Sequence, residues 1–256
     1  MADLRAVVRY LDDELRTAEI PDSEHALNGL QLENSGTVKR VAAAVDFSAD
    51  TVAAAVREKA QLLLVHHGMF WRAQRMTGAA YQRVRQSIAA DLAVYSSHIP
   101  LDMHPELGNN VLLAKALQLN ATGTFGRYKG VEIGVWGTSD LSTQALFEHA
   151  RTFSALYDTV AVSTPFAPDR KTRRWAIITG AGASAETLAE ARERGVDTLI
   201  VGEGSHHTAV QAMEDQIVVV YAGHYATETL GVRALAEHVS TRFDVPWVFV
   251  NVPTGL

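Results

Sequence analysis

Short aliphatic runs alternate with segments of helical length along most of the chain. At the N-terminus, Leu4, Val7, Val8, Leu11 and Leu15 fall on one helical face, which predicts an amphipathic helix of the folded protein. The aliphatic runs lie at 41–45, 62–65, 92–95, 131–136, 175–179, 198–201, 217–221 and 247–252. Continuous apolar strands that alternate with helices predict an α/β fold with largely parallel sheets.

An internal repeat suggests how the elements are organised. Residues 48–68 align without a gap with residues 184–204, and eight of the 21 positions are identical. Further along, 94–102 (VYSSHIPLD) aligns with 220–228 (VYAGHYATE). Because the two blocks recur in the same order, we predict an internal duplication. It implies two similar α/β halves, at residues 1–125 and 126–256.

Composition and charge narrow the classes of function. The chain has 256 residues, of which 47% are hydrophobic and 20% charged, with a formal net charge of −6 and scattered basic residues. This balance argues against a nucleic-acid partner or an anionic membrane surface. No apolar run reaches the length of about 18 residues that a membrane-spanning helix needs. With no cysteine there is no disulfide or thiolate metal site, so we expect a cytoplasmic protein.

Two adjacent histidines follow the aliphatic run at 62–65. Neighbouring side chains on a regular strand point to opposite faces, so His66 and His67 could not act together on one. They can act together if the strand ends at Val65 and the chain turns at Gly68. We therefore predict that the strand ends at Val65.

Other polar side chains follow aliphatic runs in the same way. In open α/β sheets, ligands bind beyond the carboxyl ends of the strands. The residues at such positions are His66, His67, His98 and Asp102 in the first half, and Glu203, His224 and Glu228 in the second. Facing halves would gather these side chains around a common cleft.

Imidazole and carboxylate groups are ligands of zinc, manganese and iron(II), and mixed sets suit two-metal hydrolytic sites. His224 and Glu228 are four residues apart, so on a helix they share one face. Structural explanations stay open: the histidine pair can be an ordinary loop, Asp102 can cap a turn, and Glu228 can pair with Arg233. His206, which opens a predicted helix, faces either the cleft or solvent.

A glycine-rich stretch at 179–187 offers a competing interpretation. Gly180, Gly182 and Ala185 fit the G-x-G-x-x-G/A pattern between a strand and a helix. Such a loop can present backbone N–H groups to a pyrophosphate, and Glu203 stands where a ribose-binding acid could stand. A dinucleotide-binding protein is therefore an alternative, although the same residues also serve a plain strand-to-helix turn.

Several motifs in order resemble one known family. They are NGLQ at 28–31, LLLVHHGMFW at 62–71, HIPLDMHPELGNN at 98–110, TGAGAS at 179–184, GVDTLIVGE at 195–203 and GHYATETLGVRAL at 223–235. Together they resemble the dinuclear-metal proteins labelled GTP cyclohydrolase 1 type 2, also called the Nif-three-like family, in its compact bacterial branch.

The resemblance implies two intertwined α/β/α halves with a two-metal site between them, to which the C-terminal segment contributes. The ligands it implies are His66, His67, Asp102, His224 and Glu228, with Glu228 bridging the ions and His98 nearby. It also implies a homohexamer built as a trimer of dimers. Many relatives carry histidine where this chain has Tyr225, which puts a substrate contact there in doubt.

These observations predict a metal-dependent hydrolase of the GTP cyclohydrolase 1 type 2 kind. Two divalent ions, of zinc, manganese, iron or magnesium, would lower the pKa of a bridging water so that hydroxide forms. His98 would shuttle protons, and Glu203 or His206 would orient a small-molecule substrate, with nucleotides among the candidates. The alternative from another class is a non-catalytic metal-binding, assembly or regulatory protein.

Overall fold

The computed structural model describes residues 1–71 and 75–255. The chain divides into two units. The first comprises Met1–Leu101 and Gly231–Val252, and the second comprises Asp102–Leu230 and the residues from Pro253 onward. The predicted boundary at 125/126 differs from this division, because the strand at 121–128 pairs within the sheet of the second unit.

Helices connect most of the strands in the described part of the chain. They are α1 (Leu4–Glu14), α2 (Ala49–Arg57), α3 (Gly78–Ala89), α4 (Ile99–Asp102), α5 (Asn109–Ala116), α6 (Thr143–Ala155), α7 (Ala185–Glu193), α8 (His206–Glu214) and α9 (His224–Phe243). The N-terminal amphipathic helix is confirmed, since Leu4, Val7 and Leu11 of α1 are buried. Among the described residues, no helix combines the length and the apolar character that crossing a membrane requires.

The strands include one for each of the eight predicted aliphatic runs. They are β1 (Ala2–Asp3), β2 (Gly29–Leu32), β3 (Thr37–Val38), β4 (Val41–Asp46), β5 (Leu62–His67), β6 (Ala93–Ser96), β7 (Ala121–Tyr128), β8 (Val131–Thr138), β9 (Val162–Ser163), β10 (Arg174–Ile178), β11 (Thr198–Val201), β12 (Val218–Tyr221) and β13 (Trp247–Phe249). The α/β class predicted from the sequence is confirmed.

The main sheet of the first unit has the order β13-β4-β5-β6-β2. Its first four strands run parallel, and β2 lies antiparallel at the edge. Strand β4 is fully apolar from Val41 to Val45 and is buried along that length, as expected for a central parallel strand. Ala42, Ala44, Leu63 and Val65 form a core with Val52 and Ala55 of α2.

The sheet of the second unit has the order β7-β8-β10-β11-β12-β9. Strands β10, β11 and β12 are parallel, whereas β7, β8 and β9 pair antiparallel. The prediction of largely parallel sheets is therefore wrong for this unit. Lys129 and Gly130 both have positive φ (46° and 87°), which closes a tight hairpin between β7 and β8.

The two units share a local pattern that the repeat predicts. Ser48 caps α2 by accepting the backbone N–H of Thr51, and Ser184 caps α7 by accepting that of Thr187 (both 3.1 Å). Each capped helix leads into a central parallel strand, β5 or β11, that pairs with the next strand of its own sheet. The common topology agrees with the predicted duplication, which stays a prediction.

Candidate metal centre

The two adjacent histidines close strand β5. The prediction that the strand ends at Val65 is wrong, because β5 continues to His67, which pairs with Asp46 of β4. Pairing with β6 stops two residues earlier, at Val65 and Ser96. Beyond Val65, therefore, the strand is held by one neighbour only. The rings of His66 and His67 still lie 4.8 Å apart, so a regular strand end does not separate them.

A third histidine of the first unit joins this pair. His98 follows β6 and lies 4.9 Å from the ring of His66 and 5.8 Å from that of His67. One ring nitrogen from each of the three histidines lies within 4.8 Å of the others. This spacing suits joint coordination of a cation, so His98 lies where a ligand could lie, and its predicted role as a proton carrier stays a prediction.

The Nδ1 atom of each of these histidines contacts a fixed oxygen. His66 donates to the carbonyl of Ser97 (2.9 Å), His67 to the carboxylate of Asp46 (2.8 Å), and His98 to that of Asp22 (2.7 Å). A proton on Nδ1 leaves the ligating lone pair on Nε2. Metal-binding histidines in proteins are held in this way, by a carbonyl or a carboxylate on the second nitrogen.

Hydrogen bonds also fix the carboxylate of Asp22, which orients His98. Its Oδ2 atom accepts hydrogen bonds from Asn28 Nδ2 (2.8 Å) and from the backbone N–H of Ile99 (2.9 Å). Burial alone would raise the pKa of the Asp22 carboxyl, but the hydrogen bond and charge of His98 outweigh burial and lower it. Asp22 therefore stays ionised and fixes the direction of the His98 ring.

The second unit carries a histidine and a glutamate at the start of α9. His224 is the first residue of this helix, and its Nε2 lies 3.1 Å from Oε2 of Glu228, one turn along. This confirms that the two side chains share one helical face. Nδ1 of His224 donates to Oε1 of Glu203 (2.9 Å), so His224 is oriented by a carboxylate like His67 and His98.

Two carboxylates control the charge of His224. Burial would lower the pKa of this imidazole, but Glu228 and then Glu203 raise it to about 9 through hydrogen bonds and charge. The metal-free protein therefore carries a histidinium at this position near neutral pH. A metal ion that binds Nε2 must displace that proton.

The glycine loop after β10 packs against this pair. Gly180 has φ +62°, and a β-carbon there would lie 2.1 Å from Oε1 of Glu228 and 3.3 Å from Nε2 of His224. A β-carbon at Gly182 would lie 2.3 Å from the carbonyl oxygen of Ile178. Internal packing thus accounts for both glycines of the alternative dinucleotide motif, and Gly180 makes room for the Glu228 carboxylate.

Asp102, the last residue of α4, is held by amide and hydroxyl groups of the second unit. Its Oδ1 accepts from Asn109 Nδ2 (2.8 Å) and Thr179 Oγ1 (3.4 Å), while its backbone carbonyl accepts from Asn110 Nδ2 (3.2 Å). Asn110 in turn accepts the backbone N–H of Thr179 (2.9 Å). These contacts orient a buried carboxylate, and carboxylate oxygens are common ligands of divalent cations.

A cavity of about 350 Å³ lies within the second unit. Glu203 and His206, both predicted to contact substrate, line it together with Tyr221 and Thr159. Since Glu203 also accepts the hydrogen bond of His224, one side chain connects the cavity wall to a candidate ligand. The substrate roles of Glu203 and His206 stay predictions.

Each unit thus brings together part of the predicted residue set. His66, His67 and His98 cluster in the first unit, and His224 and Glu228 in the second, where Asp102 is anchored separately. Sequence analysis missed the residues that orient them, chiefly Asp22, Asp46 and Asn109. Asp46 ends an aliphatic strand and could have been found by the strand-end argument, whereas Asp22 lies outside any pattern.

The donor set fits a divalent metal. It consists of imidazoles with a defined tautomer and buried carboxylates, with no thiolate, which suits first-row metals. His66 is fully buried and Glu228 nearly so (3% exposed), so neither is an ordinary surface side chain. A ligand role explains these buried side chains better than the structural alternatives do. Those alternatives were an ordinary loop for the histidine pair and a solvated position for Glu228.

Several named proteins are similar in sequence to this chain over nearly its full length. A protein named GTP cyclohydrolase 1 type 2 homolog from Deinococcus radiodurans is 43% identical over 253 residues, which are 98% of this chain and 93% of the relative. A protein of the same name from Pyrococcus abyssi is 38% identical over 258 residues, covering 98% of each chain.

Solved structures and a family model agree with these relatives. The structure described as protein ybgI, of unknown function, has a TM-score of 0.88 at 30% identity, and TTHA1606 from Thermus thermophilus has 0.83 at 32%. Both alignments cover 100% of each chain. The model described as Duf34/NIF3 (NGG1p interacting factor 3) matches residues 2–254. The chain therefore belongs to the Duf34/NIF3 family.

Proposed function

We propose that this protein binds two divalent metal ions and uses them to hydrolyse a small-molecule substrate. The observation that carries the proposal is the common orientation of four histidines. His66, His67, His98 and His224 each direct Nδ1 to a carbonyl or carboxylate oxygen 2.7–2.9 Å away. Histidines that serve only packing have no need of this shared arrangement, whereas metal ligands depend on it.

The proposed ligands are His66 and His67 from the first unit, with Asp102, His224 and Glu228 from the second. Glu228 is the proposed bridging ligand, because a carboxylate has two oxygens and can serve two ions at once. Along the chain, the two sets are joined by α4, which His98 precedes and Asp102 ends.

The chemistry that divalent ions would supply, when held by these residues, is a lowered pKa of water, so that a nucleophile would be available near neutral pH. In this proposal His98 accepts and returns protons through Nε2, while Asp22 keeps its Nδ1 protonated. Glu203 and His206 contact the substrate from the wall of the 350 Å³ cavity. Glu203 thereby has two tasks, since it also orients His224.

The names of the relatives make nucleotides the first substrates to test. Both relatives described above are named GTP cyclohydrolase 1 type 2 homolog, so GTP is one of the candidates. Zinc, manganese, iron and magnesium are the ions to compare, because histidine–carboxylate sites accept several first-row metals. We retain self-assembly into a homohexamer, built as a trimer of dimers, as part of the proposal.

A turnover assay with matched variants tests the hydrolase proposal. Metal-loaded protein is assayed against GTP, other nucleotides and phosphodiesters, alongside His98→Gln and, as a control, His25→Gln at an exposed position. We expect metal-dependent turnover that falls by about 10²–10⁴-fold in His98→Gln, because general acid–base catalysis is worth that much. His25→Gln is expected to behave as wild type.

The same assay separates the two classes of function. Protein that holds two ions per chain but turns over none of these substrates would contradict the hydrolase and favour a non-catalytic metal-binding or regulatory protein. Equal turnover by His98→Gln and wild type would contradict the proton-transfer role alone.

A further inference from the structure

A cavity of about 260 Å³ lies within the first unit, beside a candidate metal ligand. His67, Asp46, Phe47, Trp71 and Arg83 line it. The cavity therefore offers a ligating histidine, a cation and an aromatic surface within one small volume. None of the roles proposed above uses Arg83 or Trp71.

The charge of Arg83 has no counter-ion in this cavity. Arg83 lies on α3, is half-buried, and has its guanidinium 5.7 Å from the centre of the Phe47 ring. Its Nε atom is buried and has no hydrogen-bond acceptor, and Arg83 forms no ion pair with any residue in 1–71 or 75–255. Removing a guanidinium N–H from water without an acceptor is costly.

The acidic residue in the cavity wall does not neutralise this arginine. Asp46 directs Oδ1 to Nδ1 of His67 at 2.8 Å, so its charge serves the histidine. Asp46 does not form an ion pair with Arg83, which would require a carboxylate oxygen within 4.0 Å of a guanidinium nitrogen. The guanidinium of Arg83 thus offers its N–H donors to the cavity without a neutralising carboxylate. The fork-like arrangement of these donors matches the oxygens of phosphate and carboxylate groups.

Trp71 places a flat apolar surface next to His67 and His98. Its ring lies 5.5 Å from that of His67 and 4.9 Å from that of His98, and 37% of the residue is exposed. A large exposed ring beside polar groups is typical of a ligand site, where aromatic surface covers the organic part of a ligand.

We propose that this cavity is an oxyanion subsite, in which Arg83 binds a phosphate or carboxylate group of the substrate while Trp71 covers the adjoining part. The inference deepens the proposed function and rests on it, because His67 is one of the proposed metal ligands. It assigns the substrate to the anionic small molecules, and it makes Arg83 a residue that determines specificity.

Anion binding by the full chain tests the subsite without relying on turnover. Inorganic phosphate and, separately, acetate are titrated by calorimetry into protein stripped of metal and into protein with metal restored. The variants are Arg83→Met, which keeps an unbranched apolar stem over Phe47, and Arg83→Lys, which keeps the charge. Arg85→Met, at an exposed position of the same helix, is the matched control.

We expect at least one of the two anions to bind metal-free wild type, with affinity at least about tenfold lower in Arg83→Met, since hydrogen bonds to charged groups are involved. Arg83→Lys should fall between the two, and Arg85→Met should match wild type. Preference for phosphate would assign a phosphorylated substrate, and equal binding of acetate would assign a carboxylate.

Three results would overturn the subsite: neither anion binds wild type, Arg83→Met binds as wild type does, or Arg85→Met loses as much affinity. Metal content is measured on the same samples by elemental analysis. If wild type binds the anion but takes up no metal when metal is restored, the proposed function is overturned and the subsite stands. Two bound ions per chain without binding of either anion would overturn the subsite and leave the proposed function standing.

Discussion

Histidine orientation is the residue-scale feature on which the metal chemistry depends. Asp22, Asp46 and Glu203 each accept the Nδ1–H of one histidine, so that a carboxylate fixes the tautomer and the ring direction. At His224 the carboxylates of Glu228 and Glu203 also raise the pKa of the ring.

The charge of His224 predicts how the stability of the metal-free protein varies with pH. Its pKa is raised to about 9 from an ordinary value of 6.5. A raised pKa stabilises the folded state fully below the ordinary value, and this stability is lost as the pH rises through about 9. We predict that the free energy of unfolding of wild type, relative to His224→Gln, falls by up to about 3 kcal/mol across that range.

Urea unfolding of metal-free protein between about pH 6 and pH 10 measures this difference. His25→Gln, which removes an exposed histidine, should follow wild type throughout. Parallel curves for wild type and His224→Gln would show that the carboxylates of Glu228 and Glu203 do not hold a proton on this ring.

The ligand candidates could be predicted at the residue scale, but their partners could not. His66, His98 and His224 follow aliphatic runs, and the carboxyl ends of strands are where α/β proteins bind ligands. Asp22 lies 76 positions before His98 in a stretch without hydrophobic periodicity. Nothing in local sequence marks so distant a contact.

Close packing at the ends of elements shapes the second ligand pair. The turn from β10 to α7 brings the backbone of Gly180 against Glu228, and the backbone N–H of Gly180 donates to Thr227 Oγ1 of α9 (3.1 Å). The glycine loop and the helix that carries the ligands are thus fitted to one another. A side chain at Gly180 would occupy the place of the Glu228 carboxylate.

A matched pair of glycine substitutions tests this fit. Gly180→Ala and Gly130→Ala both put a β-carbon on a residue with positive φ, so each introduces backbone strain of about 1–2 kcal/mol. A β-carbon at Gly130 meets no atom within 4 Å, whereas one at Gly180 meets Glu228. We predict that only Gly180→Ala loses metal, as measured by elemental analysis after dialysis.

Equal metal content in the two folded variants would contradict a ligand role for the carboxylate of Glu228 in its present position. Circular dichroism and thermal unfolding show whether each variant is folded before its metal content is compared.

At the element scale, strands of continuous apolar residues could be predicted from the sequence. Strands that mix polar and apolar residues could not. The aliphatic runs all form strands, and β4, β5 and β6 are buried along most of their length, as expected for continuous apolar sequence. Strand β7 was missed since half of its residues, Ala121–Tyr128, are exposed and half are glycine or threonine. The end of β5 was misplaced because a polar residue does not by itself terminate a ladder.

At the scale of the whole molecule, the chain crosses between its two units more than once. It leaves the first unit at Leu101, returns to it at Gly231 within α9, and then adds β13 to the sheet of that unit. The two Ser-capped helices and their parallel strands show related local topology in both units. This similarity agrees with the predicted duplication, whereas the antiparallel strands differ between the two sheets.

The central proposal is that His66, His67, Asp102, His224 and Glu228 hold a pair of metal ions. Metal content per chain, measured by elemental analysis after loading and dialysis, tests it most directly in wild type, Glu228→Ala and the exposed control Glu214→Ala. The account predicts about two ions in wild type and in Glu214→Ala, and loss of both from Glu228→Ala, because a bridging carboxylate serves both ions. Wild type without metal, or a folded Glu228→Ala that keeps both ions, would contradict it.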